Sequence, residues 1–191
     1  MSWAEWEKRY KEAEKKCEEL IAKHFPKDEF DVKDYFVTSE DGKFACVVDF
    51  KKKYFEPFDC DDYCDQISYD EEEYEECIGN CKENLEAALT SSVKMLLDGT
   101  VLEATIAGDC RPVWYDGLGE EEEEFEKRQR EFYEKWEKAG CKISDGWIHP
   151  HELVGGVEWE EWPACCFYHP SAKSEGTCKI DKVLDIMKEV W

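Results

Sequence analysis

The reading of this chain turns on residues 59–98, DCDDYCDQISYDEEEYEECIGNCKENLEAALTSSVKMLLD. From Tyr69 onward one face can be traced through Tyr74, Cys77, Ile78, Cys81, Leu85, Ala88, Leu89, Ser92 and Leu96. Spacings of three and four predict a single long helix over 69–98, stopped by Gly99. Two C-x3-C pairs, Cys60/Cys64 and Cys77/Cys81, stand in the first part of the stretch. Cys77 and Cys81 lie about one turn apart on the apolar stripe and so face inward. Residues 59–86 hold twelve acids and a single base, Lys82, which is eleven of the chain's 23 net negative charges. Acids in the first turns suit the positive end of the helix dipole, and most of the others fall on the outward face.

Working outward, residues 2–25 predict another helix. Trp3, Trp6, Tyr10, Ala13, Cys17, Leu20 and His24 form its stripe, Ser2 with Glu5 a capping box, and Pro26 its stop. Its six acids and six bases balance, and Trp3 and Trp6 are expected to dock on the core. Tyr35–Thr38 and Lys43–Phe50 read as a hairpin in which Phe44, Cys46, Val48 and Phe50 share a face, which makes Cys46 a core residue. Beyond Gly99, residues 100–107 and 110–115 read as strands, 120–139 as a helix ending at Gly140, and 180–191 as a short final helix. Between Cys141 and Cys178 the density of Gly, Pro, Trp, His and Cys predicts irregular chain with short strands around Trp147 and Val157. The expectation is a single compact α+β domain over 1–191 with three long helices and a small antiparallel sheet. Its Cys/His/Trp-rich irregular C-terminal region, 141–179, would be held by metal or disulfides.

Composition narrows the function. Lys and Arg number 25 against 48 acids, so neither nucleic acid nor an anionic membrane is an expected partner. A basic protein surface is, including that of a nucleic-acid-handling enzyme. No apolar run approaches the roughly 18 residues of a membrane helix, and the charged N-terminus has no hydrophobic leader core, so the expectation is a cytoplasmic protein. Eleven cysteines are many for that compartment, and an odd number leaves at least one outside any set of internal disulfides.

The two C-x3-C pairs could form a four-thiolate zinc site or two parallel disulfides, or stand as buried thiols. Their spacing resembles the twin C-x3-C signature of the small mitochondrial intermembrane-space chaperones, and residues 75–81, EECIGNC, look like half of it. Those proteins are short helical hairpins. A second string, Gly146-Trp147-Ile148-His149-Pro150-His151, resembles the G-W-x-H-x-H element of the JAB/MPN metalloproteases, whose two histidines bind zinc. That resemblance implies a zinc-dependent hydrolase built on His149 and His151. The family's following Ser and Asp are absent, which leaves Glu158, Glu160 or Glu161 as third ligand or base.

A wider metal set adds Cys165, Cys166, His169 and Cys178 to His149 and His151, with structural zinc as the cofactor. No nucleophile elbow or phosphate-binding loop is present, and no catalytic residue is assigned. The leading expectation is an acidic, non-enzymatic interaction module that imitates a nucleic-acid backbone and inhibits a basic partner. Its contact residues would be Asp59, Asp61, Asp62, Asp65, Glu71, Glu72 and Glu73, with Glu120, Glu121 and Glu122 as a second patch. The alternatives are the zinc hydrolase and a structural or assembly subunit stabilised by disulfides.

Overall fold

Ser2 sets the start of the first helix, α1 (Trp3–His24). Its hydroxyl accepts from the Glu5 amide at 3.2 Å, and the Glu5 carboxylate accepts from the Ser2 amide at 3.4 Å. The protein is described by a computed structural model covering residues 2–53, 58–114, 122–141, 143–152, 161–172 and 178–190. Ala13 and Cys17 are the buried residues of α1. The tryptophan end docks less than expected. Trp3 is 76% exposed and stacks on Trp6, while Trp6 and Tyr10 reach Phe44.

Strands β1 (Phe30–Glu40) and β2 (Lys43–Lys52) make the expected hairpin, longer than its sequence signal. Its turn, Asp41-Gly42, has positive φ at both residues, 49° and 78°, as a tight hairpin turn requires. Cys46 is fully buried, and it is joined to Cys17 by a disulfide that ties α1 to β2.

Between residues 59 and 98 the structure departs from the single long helix. A short helix, α2 (Cys60–Ile67), precedes α3 (Glu71–Ala88), and the chain then enters β3 (Ser91–Leu96). Ser91, Val93 and Met95 alternate inward with period two. Ser92 and Leu96 fit a helical stripe by number alone. Gly99, with φ of 88°, serves the turn between β3 and β4 (Val101–Trp114). The two strands foreseen over 100–115 are this one long strand, with an irregularity between Ala107 and Cys110.

The C-terminal third overturns the expectation of a small sheet followed by irregular chain. After α4 (Glu122–Lys138) come β5 (Ile143–Glu152) and β6 (Glu161–Ala172), and then α5 (Ile180–Val190). The described residues thus hold five helices, not a frame of three long ones, and six strands in one antiparallel sheet of order β1-β2-β3-β4-β6-β5. Aromatic, β-branched and cysteine residues such as Trp147, Ile148, Trp162, Cys165, Phe167 and Tyr168 favour strand. Pro150, Pro163 and Pro170 hid that preference, because proline is ordinarily kept out of sheet interiors. The class is α+β.

The main core lies between one face of the sheet and α1, α4 and α5. Val48, Phe50, Val93, Met95 and Ile106 from the sheet meet Cys17, Trp136, Ile180, Val183 and Met187 from the helices. A disulfide between Cys141 and Cys178 joins the end of α4 to the start of α5. Among the described residues no helix is long and apolar enough to cross a membrane.

Candidate functional site

Helices α2 and α3 form a hairpin with a small core of its own. Cys60, Cys64, Cys81, Leu85, Ala88 and Leu89 are its buried residues, and Phe58, Tyr63, Tyr74 and Ile78 pack around them. The cysteines pair crosswise, Cys60 with Cys81 and Cys64 with Cys77, at Cα separations of 5.8 Å. Of the alternatives left open by the spacing, two parallel disulfides is the one observed, so these sulfurs are not thiolate ligands.

The acids of the hairpin divide by task. Asp59 caps α2, its Oδ1 accepting from the Asp62 amide at 3.1 Å. Asp70 caps α3 through the Glu73 amide at 2.8 Å, and Glu73 returns the favour by accepting from the Tyr69 amide at 3.0 Å. Asp61 ties α2 to α3, lying 3.4 Å from the Tyr74 hydroxyl that donates to it and 3.6 Å from Lys82 Nζ. Asp62 accepts from Gln66 Nε2 at 3.0 Å. Glu86 meets two lysines of the sheet, Lys33 at 2.7 Å and Lys51 at 3.1 Å. These lysines hold its carboxyl below the ordinary range by hydrogen bonding, Lys33 more than Lys51. Lys51 neighbours the buried Phe50 along β2, so it lies on the sheet face away from the main core.

Asp65, Glu71, Glu72, Glu75, Glu76 and Glu83 remain. All six are exposed and have no hydrogen-bond or ion-pair partner among the described residues. The expected contact set is therefore sorted. Asp59, Asp61, Asp62 and Glu73 carry internal bonds, while Asp65, Glu71 and Glu72 are free to meet a partner. Glu75, Glu76 and Glu83 join them. Their signal was present in the sequence, since each is an acid off the Cys77–Cys81 stripe of α3. The field of this face is felt by Tyr74, whose phenol is pushed up first by burial and then by Asp61, Asp65 and Asp59. In the second patch, Glu120 and Glu121 lie outside the described residues, and Glu122 opens α4 with its side chain outside them.

The metal set is dispersed in part. Cys178 is bonded to Cys141 and is removed from it. His149 and His151 are on β5, and Cys165, Cys166 and His169 on β6, with their side chains outside the described ones. The backbone register sets position 151 opposite 165, and 165 opposite 110 of β4, so His151, Cys165 and Cys110 occupy one row across three strands. Position 166 is out of step with that row, paired with Pro150. Among the described side chains no group of three or more His, Cys, Asp or Glu is arranged to hold a metal ion. Glu158 and Glu160, two of the carboxylates considered as third ligand, lie outside the described residues, while Glu161 begins β6. Comparison with known protein families, curated proteins and solved structures gives no match.

Proposed function

We propose that the chain is an acidic interaction module whose α2–α3 hairpin covers a basic surface on a partner protein, of the kind that holds nucleic acid. The observation that carries this reading is the group of six exposed acids without internal partners on a hairpin braced by two disulfides. A surface held rigid before binding loses little conformational entropy on docking, and charge held in one place steers encounter and selects partners of opposite sign. Tyr69, exposed between the two helices, and Tyr63 and Tyr74, half-buried among the acids, supply aromatic contact area for such an interface. The four disulfides among the described residues fit an oxidising environment better than the expected cytoplasm, where thiols are kept reduced.

The test is capture of partners by the wild-type protein and by the variant Glu71→Lys/Glu72→Lys/Glu75→Lys/Glu76→Lys. Partners of the wild type should be basic, elute with moderate salt, lose nucleic-acid binding when the protein is added, and be absent from the variant's capture. Partners that are neutral or acidic, or that the variant retains, defeat the proposal.

A further inference from the structure

Of the eleven cysteines, eight are paired, Cys17 with Cys46, Cys60 with Cys81, Cys64 with Cys77 and Cys141 with Cys178. Cys110, Cys165 and Cys166 remain, two of them adjacent in sequence and the third far from both. The sheet brings the three together. Cys110 is on β4, the other two are on β6, and these strands are antiparallel neighbours.

Register decides which two can join. Cys110 is directly opposite Cys165. Opposed residues of an antiparallel pair have Cα atoms about 4.5 or 5.5 Å apart, according to the hydrogen bonding at that position. Both distances fall in the range a disulfide accepts, roughly 4.4–6.8 Å. The other four disulfides have Cα separations between 4.5 and 5.8 Å. The remaining combinations fail. Cys165 and Cys166 are consecutive, so their Cα atoms are only about 3.8 Å apart and their positions fall on opposite faces of the strand. Pairing of β6 with β5 runs without a shift from Ser171 to Ala164, so that alternation holds along β6. Ile106 of the main core is opposite Tyr168, which puts positions 166 and 168 on the core face and position 165 on the other. Cys166 is opposite Pro150 on β5. Toward β4 it falls beside the irregular stretch between Ala107 and Cys110, which holds Gly108 and Asp109.

We infer that Cys110 and Cys165 form a fifth disulfide, between β4 and β6, and that Cys166 is the odd cysteine of the chain, a thiol. As the S–S bond forms, the two thiols give up two electrons and two protons to the disulfide of an oxidant, which is reduced to two thiols. An environment that closes the other four disulfides suits this one. The bond has a task in the sheet. β4 loses step with β6 between Ala107 and Cys110, and a slip of one residue would carry Cys110 to the opposite face. A link between positions 110 and 165 fixes the register beyond that irregularity. It also withdraws Cys165 from the metal set, and leaves His151 as the one potential ligand in its row. The inference concerns the sheet and is independent of the acidic hairpin.

The test uses the whole chain, purified without reductant. Its intact mass should lie roughly 10 Da below that of the fully reduced chain, two hydrogens for each of five disulfides. Alkylation in denaturant without reductant should add one equivalent of label. Proteolysis of the non-reduced protein should give the peptide with Cys110 joined to the peptide with Cys165 and Cys166, and fragment ions should place the label on Cys166. Cys166→Ser should keep five disulfides and take up no label. Three equivalents of label on the wild type, a label on Cys110 or Cys165, or fragments that join Cys110 to Cys166 overturn the inference. Zinc that is retained through purification, and whose removal by chelator makes Cys110 and Cys165 reactive, overturns it in favour of a metal site in that row.

Discussion

Among the described residues Glu86 is the one acid of the hairpin that pairs with the sheet, and its two lysine partners make its contribution depend on pH. Hydrogen bonds from Lys33 and then Lys51 hold its folded-state pKa below the ordinary 4.5. The folded chain therefore takes up this proton later than the unfolded chain does. The stabilisation is fully present above about pH 4.5 and is lost as pH falls through the lower folded value. Lys33 has the opposite sign. Its pKa is raised above 10.5, chiefly by the hydrogen bond to Glu86, so its contribution holds below that pH and disappears as pH rises through the folded value. The side chains are 39% and 50% exposed, so solvent screening limits the cluster to no more than about 1 kcal/mol. Denaturant titrations of wild type and Glu86→Gln should differ by a constant amount at intermediate pH. The difference should shrink toward zero below 4.5 and above 10.5. A pH-independent difference would assign the effect of Glu86 to packing and not to its charge.

At the scale of elements, the disulfides serve two separate bodies of packing. Cys17–Cys46 and Cys141–Cys178 lie in the main core, whereas Cys60–Cys81 and Cys64–Cys77 lie in the small core of the α2–α3 hairpin. Closing loops of 13 to 37 residues restricts the unfolded chain by roughly 3–4 kcal/mol each in the loop-entropy picture. Where that loss is felt should differ. Cys17→Ser/Cys46→Ser should lower the global unfolding transition. Cys64→Ser/Cys77→Ser should speed amide exchange in α2 and α3 while leaving β2 and β3 as protected as before. Equal loss of protection in β2 and β3 would show that the hairpin and the main core unfold as one unit.

The same elements show what the sequence could and could not disclose. The start and stop of α1 were legible because Ser2, Glu5 and Pro26 act locally. The inward face of α3 was legible from helical spacing as far as Ala88. Its end was not, because Ser92 and Leu96 satisfy a period of 3.6 as well as the period of two that the sheet imposed. Strand β5 was legible only as a short strand around Trp147, and β6 not at all, because their prolines mimic loop chemistry and because a strand's preference is settled by its neighbours in the sheet. In the candidate site the acids were visible, but their division was not. Asp59, Asp70 and Glu73 became caps once helix boundaries were fixed, and the crosswise cysteine pairing needed the hairpin geometry.

The whole molecule carries its charge unevenly. Residues 59–86 hold eleven net negative charges, while α1 has as many bases as acids. Self-repulsion in a chain of net charge −23 opposes the compact state, and the hairpin concentrates that repulsion on one small body. Added salt reduces the screening length from about 30 Å at 0.01 M to about 10 Å at 0.1 M, which is shorter than much of the acidic face. Neutral salt should therefore raise the melting temperature over this range, even though it weakens surface ion pairs such as Lys11–Glu7 and Lys82–Asp61. Over the same range it should weaken association with a basic partner. These opposite responses distinguish a functional acid face from a solvated surface. A surface selected for solubility alone would show the first response without the second. The variant Glu75→Lys/Glu76→Lys/Glu83→Lys, which keeps the acids that the helix dipole favours in the first turn of α3, checks the assignment in one thermal titration. It should melt higher than wild type at low salt and respond less to added salt. An undiminished salt response in this variant would place the repulsion outside the hairpin, and with it the argument that the acids are held there for a partner.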